Sequence, residues 1–252
     1  APLVIAGGPC VSNPEPLADF FDAFQIGEGE EMMLEFLDLL DEYKKKGATK
    51  KEFLVAASRI KGIYVPSLYD VSYNSDGTVK AYTPLCGAPK TVDKRVVADI
   101  DKMFYPEKFV VPFVEIVHDR VVAEIFRGCI RGCRFCQAGF WYRPIREKSV
   151  ETISKQSKRL ACTSGYDELS LCSLSSSDYT KITELIEELL GWTVPEKINV
   201  ALPSLRIDNF SDELKKSGVT ADTAALKKLY GIEFVSISAS KNTGLKELAE
   251  AA

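Results

Sequence analysis

Cys129, Cys133 and Cys136 are separated by three and then two residues, on a loop that also carries Gly128 and Gly132. The glycines let the backbone fold back on itself, so three thiolates this close can face one small centre. Three sulfurs cannot close a tetrahedral zinc site, which needs a fourth ligand. They can hold three corners of a [4Fe–4S] cluster and leave the fourth iron open. Arg127, Arg131 and Arg134 stand beside them and could offset the negative charge of thiolates and sulfides. Zinc is the competing reading, with His118, the single histidine, as the fourth ligand. Zinc ligands usually come as two separated pairs, and only Cys133-x2-Cys136 is such a pair. His118 is therefore expected as a surface or packing residue. Cys10, Cys86, Cys162 and Cys172 read as small buried hydrophobes.

A cluster loop needs a rigid base. Val121 to Phe126 is an apolar run that reads as a strand, placing the cysteines at its carboxyl end, where α/β folds carry their chemistry. Beyond the loop, Ser149 is positioned to cap a helix running to about Ala161. Leu169 to Cys172 reads as a strand, Ser173 to Ser177 as a polar loop, Lys181 to Leu190 as a helix and Ile198 to Leu202 as a third strand. Strands alternating with helices imply a parallel sheet with right-handed crossovers. Upstream, Leu3 to Ala6 and Ala23 to Ile26 read as short strands. The first breaks at Gly7-Gly8-Pro9 and the second runs into Gly27-Glu28-Gly29-Glu30. A helix follows with Met32, Met33, Phe36, Leu37 and Leu40 on its inner face. The charged stretch from Tyr43 to Glu52 reads as a solvated helix end and linker. Between 62 and 84 the period becomes two, with a turn at Ser75-Asp76-Gly77, which predicts a β-hairpin. Residues 85 to 112 read as a crossing segment.

The chain has 252 residues, 36 acidic against 32 basic, a net charge of -4 and 46% hydrophobic residues. That balance excludes wholesale disorder and gives no basic field to attract nucleic acid or an anionic membrane. No apolar run approaches the ~18 residues that span a bilayer. Seven cysteines, an odd number, point to a reducing compartment rather than a disulfide framework. The expected location is the cytoplasm, since the first ten residues do not resemble a signal peptide.

The C-x3-C-x-aromatic-C pattern, with Phe135 as the aromatic, resembles the signature of radical S-adenosylmethionine (radical SAM) enzymes. Arg127-Gly128-Cys129 through Gln137-Ala138-Gly139, then Tyr142-Arg143-Pro144 and Arg146-Glu147, is similar to the cobalamin-binding-type branch. So are Leu171 to Tyr179 and Leu202 to Arg206, while Gly7-Gly8-Pro9 and Gly27 to Glu30 resemble the end of that branch's cobalamin-binding-like domain. The resemblance runs over residues 1 to about 216. It implies an α/β protein: the tail of a Rossmann-like domain followed by a partial (β/α) radical SAM barrel. It implies a [4Fe–4S] cluster on Cys129, Cys133 and Cys136, and S-adenosylmethionine on the open iron. Phe135 would lie near the adenine and Ser175, Ser176 and Ser177 near the methionyl end. A one-electron reductant and a substrate of unspecified class complete the implied partners. The D-x-H-x-x-G loop that ligates cobalamin has no counterpart here, so cobalamin is not an expected ligand.

The implied divisions are residues 1–60 for the Rossmann-like end, 61–118 for hairpin and linker, and 119–217 for the first half of the barrel. Residues 218–252 resemble instead the end of a GTPase domain of the ferrous-iron-transporter type. Neither a phosphate-cradling G-x4-G-K-[ST] loop nor a base-reading Asn-Lys-x-Asp accompanies them, so nucleotide hydrolysis is not expected. With three βα units before Ser217, poor turnover of S-adenosylmethionine is expected. The alternative function is a non-catalytic zinc- or cluster-bearing module that holds a fold together or binds a partner.

Overall fold

A computed structural model describes residues 2–114 and 116–205. The GTPase-like reading of 218–252 lies outside the described residues. The amino-terminal unit is built on three very short strands, β1 (Ile5–Ala6), β2 (Ala23–Gln25) and, later in the chain, Ile63–Tyr64. The first two pair in parallel, and the third runs antiparallel to β2 through Phe24↔Tyr64. Their brevity follows from the glycine turns. At Gly27 (φ +108) a Cβ would come within 2.2 Å of the Arg95 carbonyl, so only glycine fits where the crossing segment meets β2.

Helix α1 (Gly29–Lys45) buries Met32 and Phe36 against this sheet. Leu37, expected inward, is exposed. It lies five residues from Met32, about 140° around the helix, and so falls off the buried stripe. The stretch expected as solvated linker contains a second helix, α2 (Lys50–Ala57). Thr49 accepts from the Glu52 N–H, and Glu52 accepts from the Thr49 N–H at 2.7 Å. This capping box is written in the sequence as Thr-x-x-Glu before Phe53-Leu54-Val55. Phe53 then meets Phe36 edge-on, 5.2 Å between ring centroids.

After β3 (Ile63–Tyr64) the expected hairpin forms, β4 (Tyr69–Tyr73) with β5 (Val79–Pro84), turning where Gly77 donates to the Asn74 carbonyl. Residues 85 to 120 hold no helix or strand among those described.

The second unit is a parallel sheet. β6 (Val121–Glu124) pairs with a strand at Glu168–Cys172, which pairs with another at Asn199–Ala201. The strand expected from Val121 to Phe126 is interrupted at Ile125. There the Ile125 N–H still donates to Cys172, but its carbonyl accepts from Lys148. The chain thus leaves the parallel sheet and continues as β7 (Phe126–Arg127), antiparallel to a strand at Arg146–Glu147. The short helix α3 (Ala138–Trp141) precedes that strand, β8 (Arg146–Glu147). β7 and β8 form a neck that closes residues 128–145 into one excursion.

Helix α4 (Val150–Ser164) starts at Ser149, whose hydroxyl accepts from the Thr152 N–H at 3.2 Å, and ends at Gly165 in the left-handed conformation. It leads into β9 (Glu168–Cys172). Helix α5 (Ile182–Thr193) then leads into β10 (Asn199–Ala201), and the strand order is β10-β9-β6. Val121, Ala123, Leu169 and Leu171 from the strands pack against Ile153, Leu160, Leu185 and Leu189 from the helices. This is the expected α/β class, with a partial βα barrel sheet. Cys10, Cys86, Cys162 and Cys172, expected as buried, are all exposed. Cys172, for example, occupies the last position of β9, past the buried run Leu169–Leu171. No described helix is long and apolar enough to cross a membrane.

Candidate cofactor site

The cysteine loop leaves the neck at Gly128 (φ +91). A Cβ there would sit 3.0 Å from backbone atoms of Tyr142, Pro144 and Ile145, which leaves glycine as the residue that fits. Cys129 is buried, and Cys133 and Cys136 are half-buried. The Arg131 N–H donates to Cys129 Sγ and the Gly139 N–H to Cys136 Sγ, both at 3.4 Å. The Cys136 N–H closes a tight turn on the Cys133 carbonyl at 3.0 Å. Backbone donors aimed at sulfur stabilise thiolates and are among the levers that tune sulfur-ligated clusters. The donor set therefore fits an iron–sulfur centre.

Convergence of the three sulfurs on one point, which the spacing predicts, is not reached. Among the described residues no three His, Cys, Asp or Glu side chains form a ready-made ion site. His118 is exposed and engaged with the Arg120 guanidinium, a surface residue as expected.

The serine turn follows β9. Ser175 and Ser176 are buried, and Ser177 is half-buried. Ser176 Oγ shares a hydrogen bond with Ser173 Oγ at 3.0 Å, whereas Ser175 Oγ is buried without a partner. A buried hydroxyl left unpaired costs free energy, and a polar ligand group would offset that cost. Phe135, by contrast, is 91% exposed at the rim of the cysteine loop. An ion pair joins loop and turn. Arg131 Nε donates to Asp178 Oδ2 at 2.9 Å, and its terminal nitrogen engages Oδ1.

The other arginines do different work from that expected. Arg127 turns away from the cysteines: its Nε donates to Glu124 at 2.7 Å and a terminal nitrogen to Glu30 at 2.6 Å. Arg146 grips Glu28 through two bonds of 2.6 and 2.7 Å. Glu28 also accepts from the Val97 N–H at 2.6 Å. Burial pushes the Glu28 carboxyl up, but the Arg146 and Val97 donors and the Arg127 charge outweigh it and hold it below the usual carboxylate range. Lys148 is fully buried 3.8 Å from Glu124, and burial pushes its ammonium down. The loop's outer end is tied as well, Lys94 donating to the Arg143 carbonyl at 2.6 Å and Gln137 to Ser12 Oγ at 3.1 Å. Sequence reasoning singled out Gly27 to Glu30, Arg127 and Arg146, and the stretch that holds Asp178, but not which of these charges pair. Lys148 carries no local signal.

The parallel sheet thus carries a triple-cysteine loop beyond its first strand and a serine turn beyond the next. Residues 1–66 match the family described as "Radical SAM proteins, N-terminal", and residues 123–227 match the radical SAM superfamily. The second match runs past 217, the boundary expected for the barrel. Each of these two segments is similar to radical SAM proteins, and neither match spans half of the chain. An uncharacterized protein of Methanocaldococcus jannaschii is 27% identical over 217 residues, 85% of this chain and 40% of its own length. A putative methylthiotransferase of the same organism is 28% identical over 105 residues, 37% of this chain and 22% of its own. The chain therefore spans well under half of either relative. The solved structure of the radical SAM methyltransferase TsrM from Kitasatospora setae, with cobalamin and a [4Fe–4S] cluster, aligns at TM-score 0.46 and 13% identity. The alignment covers 83% of this chain and 39% of that one. The same enzyme with tryptophan and aza-SAM aligns at TM-score 0.47.

Proposed function

We propose that this chain is the cluster-bearing part of a radical SAM enzyme, in which Cys129, Cys133 and Cys136 ligate a [4Fe–4S] cluster and the serine turn receives S-adenosylmethionine. When bound, such a cluster supplies the electron that cleaves the sulfonium, giving methionine and a 5′-deoxyadenosyl radical. The observation that carries the reading is the three-cysteine loop at the carboxyl end of β6, with N–H donors on two of its sulfurs. The chain's own part is binding, orientation and exclusion of water. Gly128 and the β7/β8 neck return the loop over the sheet edge. Ser175 offers its unpaired hydroxyl to the methionyl end of the ligand, with Ser176 and Ser177 alongside. Phe135, exposed at the rim, would close over the adenine ring. Residues 1–60 act as the Rossmann-like end, 61–118 as hairpin and linker, and 119–217 as the first part of the barrel. All seven described cysteines are free thiols, in keeping with a reducing, cytoplasmic setting.

The test is anaerobic reconstitution with iron and sulfide, read by visible absorption, EPR and iron content. Brown protein with about four irons per chain is expected, and Cys129→Ala, Cys133→Ala and Cys136→Ala should each lose the chromophore. Retention by all three variants, or stoichiometric zinc in place of iron, would overturn the reading. S-adenosylmethionine should perturb the EPR signal of the reduced protein, and Ser175→Val should weaken that response.

A further inference from the structure

Asp178 belongs to neither the cysteine loop nor the set of ligands expected from sequence, yet it is the residue through which the two halves of the site meet. Its side chain is only 6% exposed, against 34% for Arg131. It sits on a short 3-10 turn, Ser176–Asp178, with its N–H bonded to the Ser175 carbonyl at 2.8 Å. Its carboxylate takes the Arg131 guanidinium in a two-point grip, the geometry in which arginine gives most orientation per contact. Arg131 in turn stands between Cys129 and Cys133, and its own N–H bonds Cys129 Sγ. A displacement of Asp178 therefore moves a residue bonded to a ligand sulfur, while Ser175, with its unpaired buried hydroxyl, hangs on the same turn.

We propose that Asp178 is a positioning residue: through Arg131 it locks the cysteine loop to the serine turn and sets the net charge beside Cys129. The inference rests on the cluster reading above. Two effects follow. The first is mechanical: the loop is ordered by the pair, with or without a bound group. The second is electrostatic. Cluster potentials respond to local net charge and to hydrogen bonds at sulfur. Deleting the Asp178 carboxylate makes the surroundings of Cys129 more positive and eases reduction. Deleting the Arg131 guanidinium makes them more negative and opposes it. A purely structural contact would not give opposite signs.

The experiment compares wild type with Asp178→Asn, Arg131→Lys and Arg131→Gln. In the cluster-free chain, the rate of trypsin cleavage after the exposed Arg134 reads loop order. All three variants should be cut severalfold faster at a temperature well below the unfolding midpoint of each. In the reconstituted chain, a dithionite titration with mediators reads the midpoint. Asp178→Asn should raise it and Arg131→Gln lower it, each by a tenfold change in the oxidised-to-reduced ratio, about 59 mV for one electron. Arg131→Lys keeps the charge and should shift it least. Unchanged cleavage in every folded variant, or midpoints moving the same way in Asp178→Asn and Arg131→Gln, would overturn the proposal. If Asp178→Asn does not fold, the two Arg131 variants decide it. If wild type takes up no cluster, the cluster reading fails, and the cleavage rates alone judge the lock.

Discussion

Gly128 shows how much one residue decides here. Its positive φ and its 3.0 Å approach to three backbone positions make any side chain strained there, directly before the loop's buried cysteine. Gly128→Ala is expected to cost about 1–3 kcal/mol of stability, measured by urea unfolding, and to lower cluster uptake. An unchanged unfolding midpoint would mean that the neck tolerates the strain. The cysteines divide cleanly at this scale. Cys172 is exposed beyond the buried run of β9, so Cys172→Ala should leave the chromophore intact where Cys129→Ala removes it. Equal loss in both would show that the loop is not the ligand set. The loop's spacing and its glycine are both plain in the sequence. The exposure of Cys10, Cys86, Cys162 and Cys172 is not, because the side of an element on which a small apolar residue falls depends on what packs there.

Among the elements, α2 was legible but passed over. Lysines around it suggested a solvated linker, yet Thr49 and Glu52 form a complete capping box and Phe53 reaches Phe36. Thr49→Ala should cost about 1 kcal/mol, read as a lower denaturation midpoint; no change would mean that Phe53 alone holds the helix. The interruption of the strand at Ile125 could not be read in the same way. An apolar run through Phe126 looks continuous in one dimension. The switch to antiparallel pairing with Arg146–Glu147 arises because Lys148, far along the chain, takes the Ile125 carbonyl.

At the scale of the whole molecule, two hydrophobic cores, one around Phe24, Met32 and Phe53 and one around Val121, Leu169 and Leu185, are linked by buried charge. Glu28 is 13% exposed and Arg146 is 9%, and Glu30 meets Arg127 beside them. Removing one partner strands the other, so Glu28→Ala should destabilise by about 3–5 kcal/mol. The pH dependence has a definite sign. The folded Glu28 carboxyl lies below its ordinary value of 4.5, so its contribution is complete above that value and is lost as pH falls through the folded pKa. Wild type and Glu28→Gln should therefore differ most near neutrality and converge in acid. A gap that widens on acidification would contradict the assignment. The pair is mostly buried, so moderate salt should change the gap little.

The sequence by itself determined what neighbouring residues can settle among themselves. The cysteine spacing lies within one loop, Ser149 and Thr49 cap the helices they precede, Gly77 turns the hairpin, and the alternation of strand and helix dictates parallel pairing. Each depends on groups a few positions apart, whose encounter the backbone makes nearly obligatory. Only the tertiary structure decided which distant charges meet. Glu28 reaches Arg146 across 118 positions, and Asp178 reaches Arg131 across 47. Any of the chain's many carboxylates could pair with any arginine as far as composition goes. The selection comes from burial, which brings one pair together in a space poor in water and makes leaving either member unpaired costly.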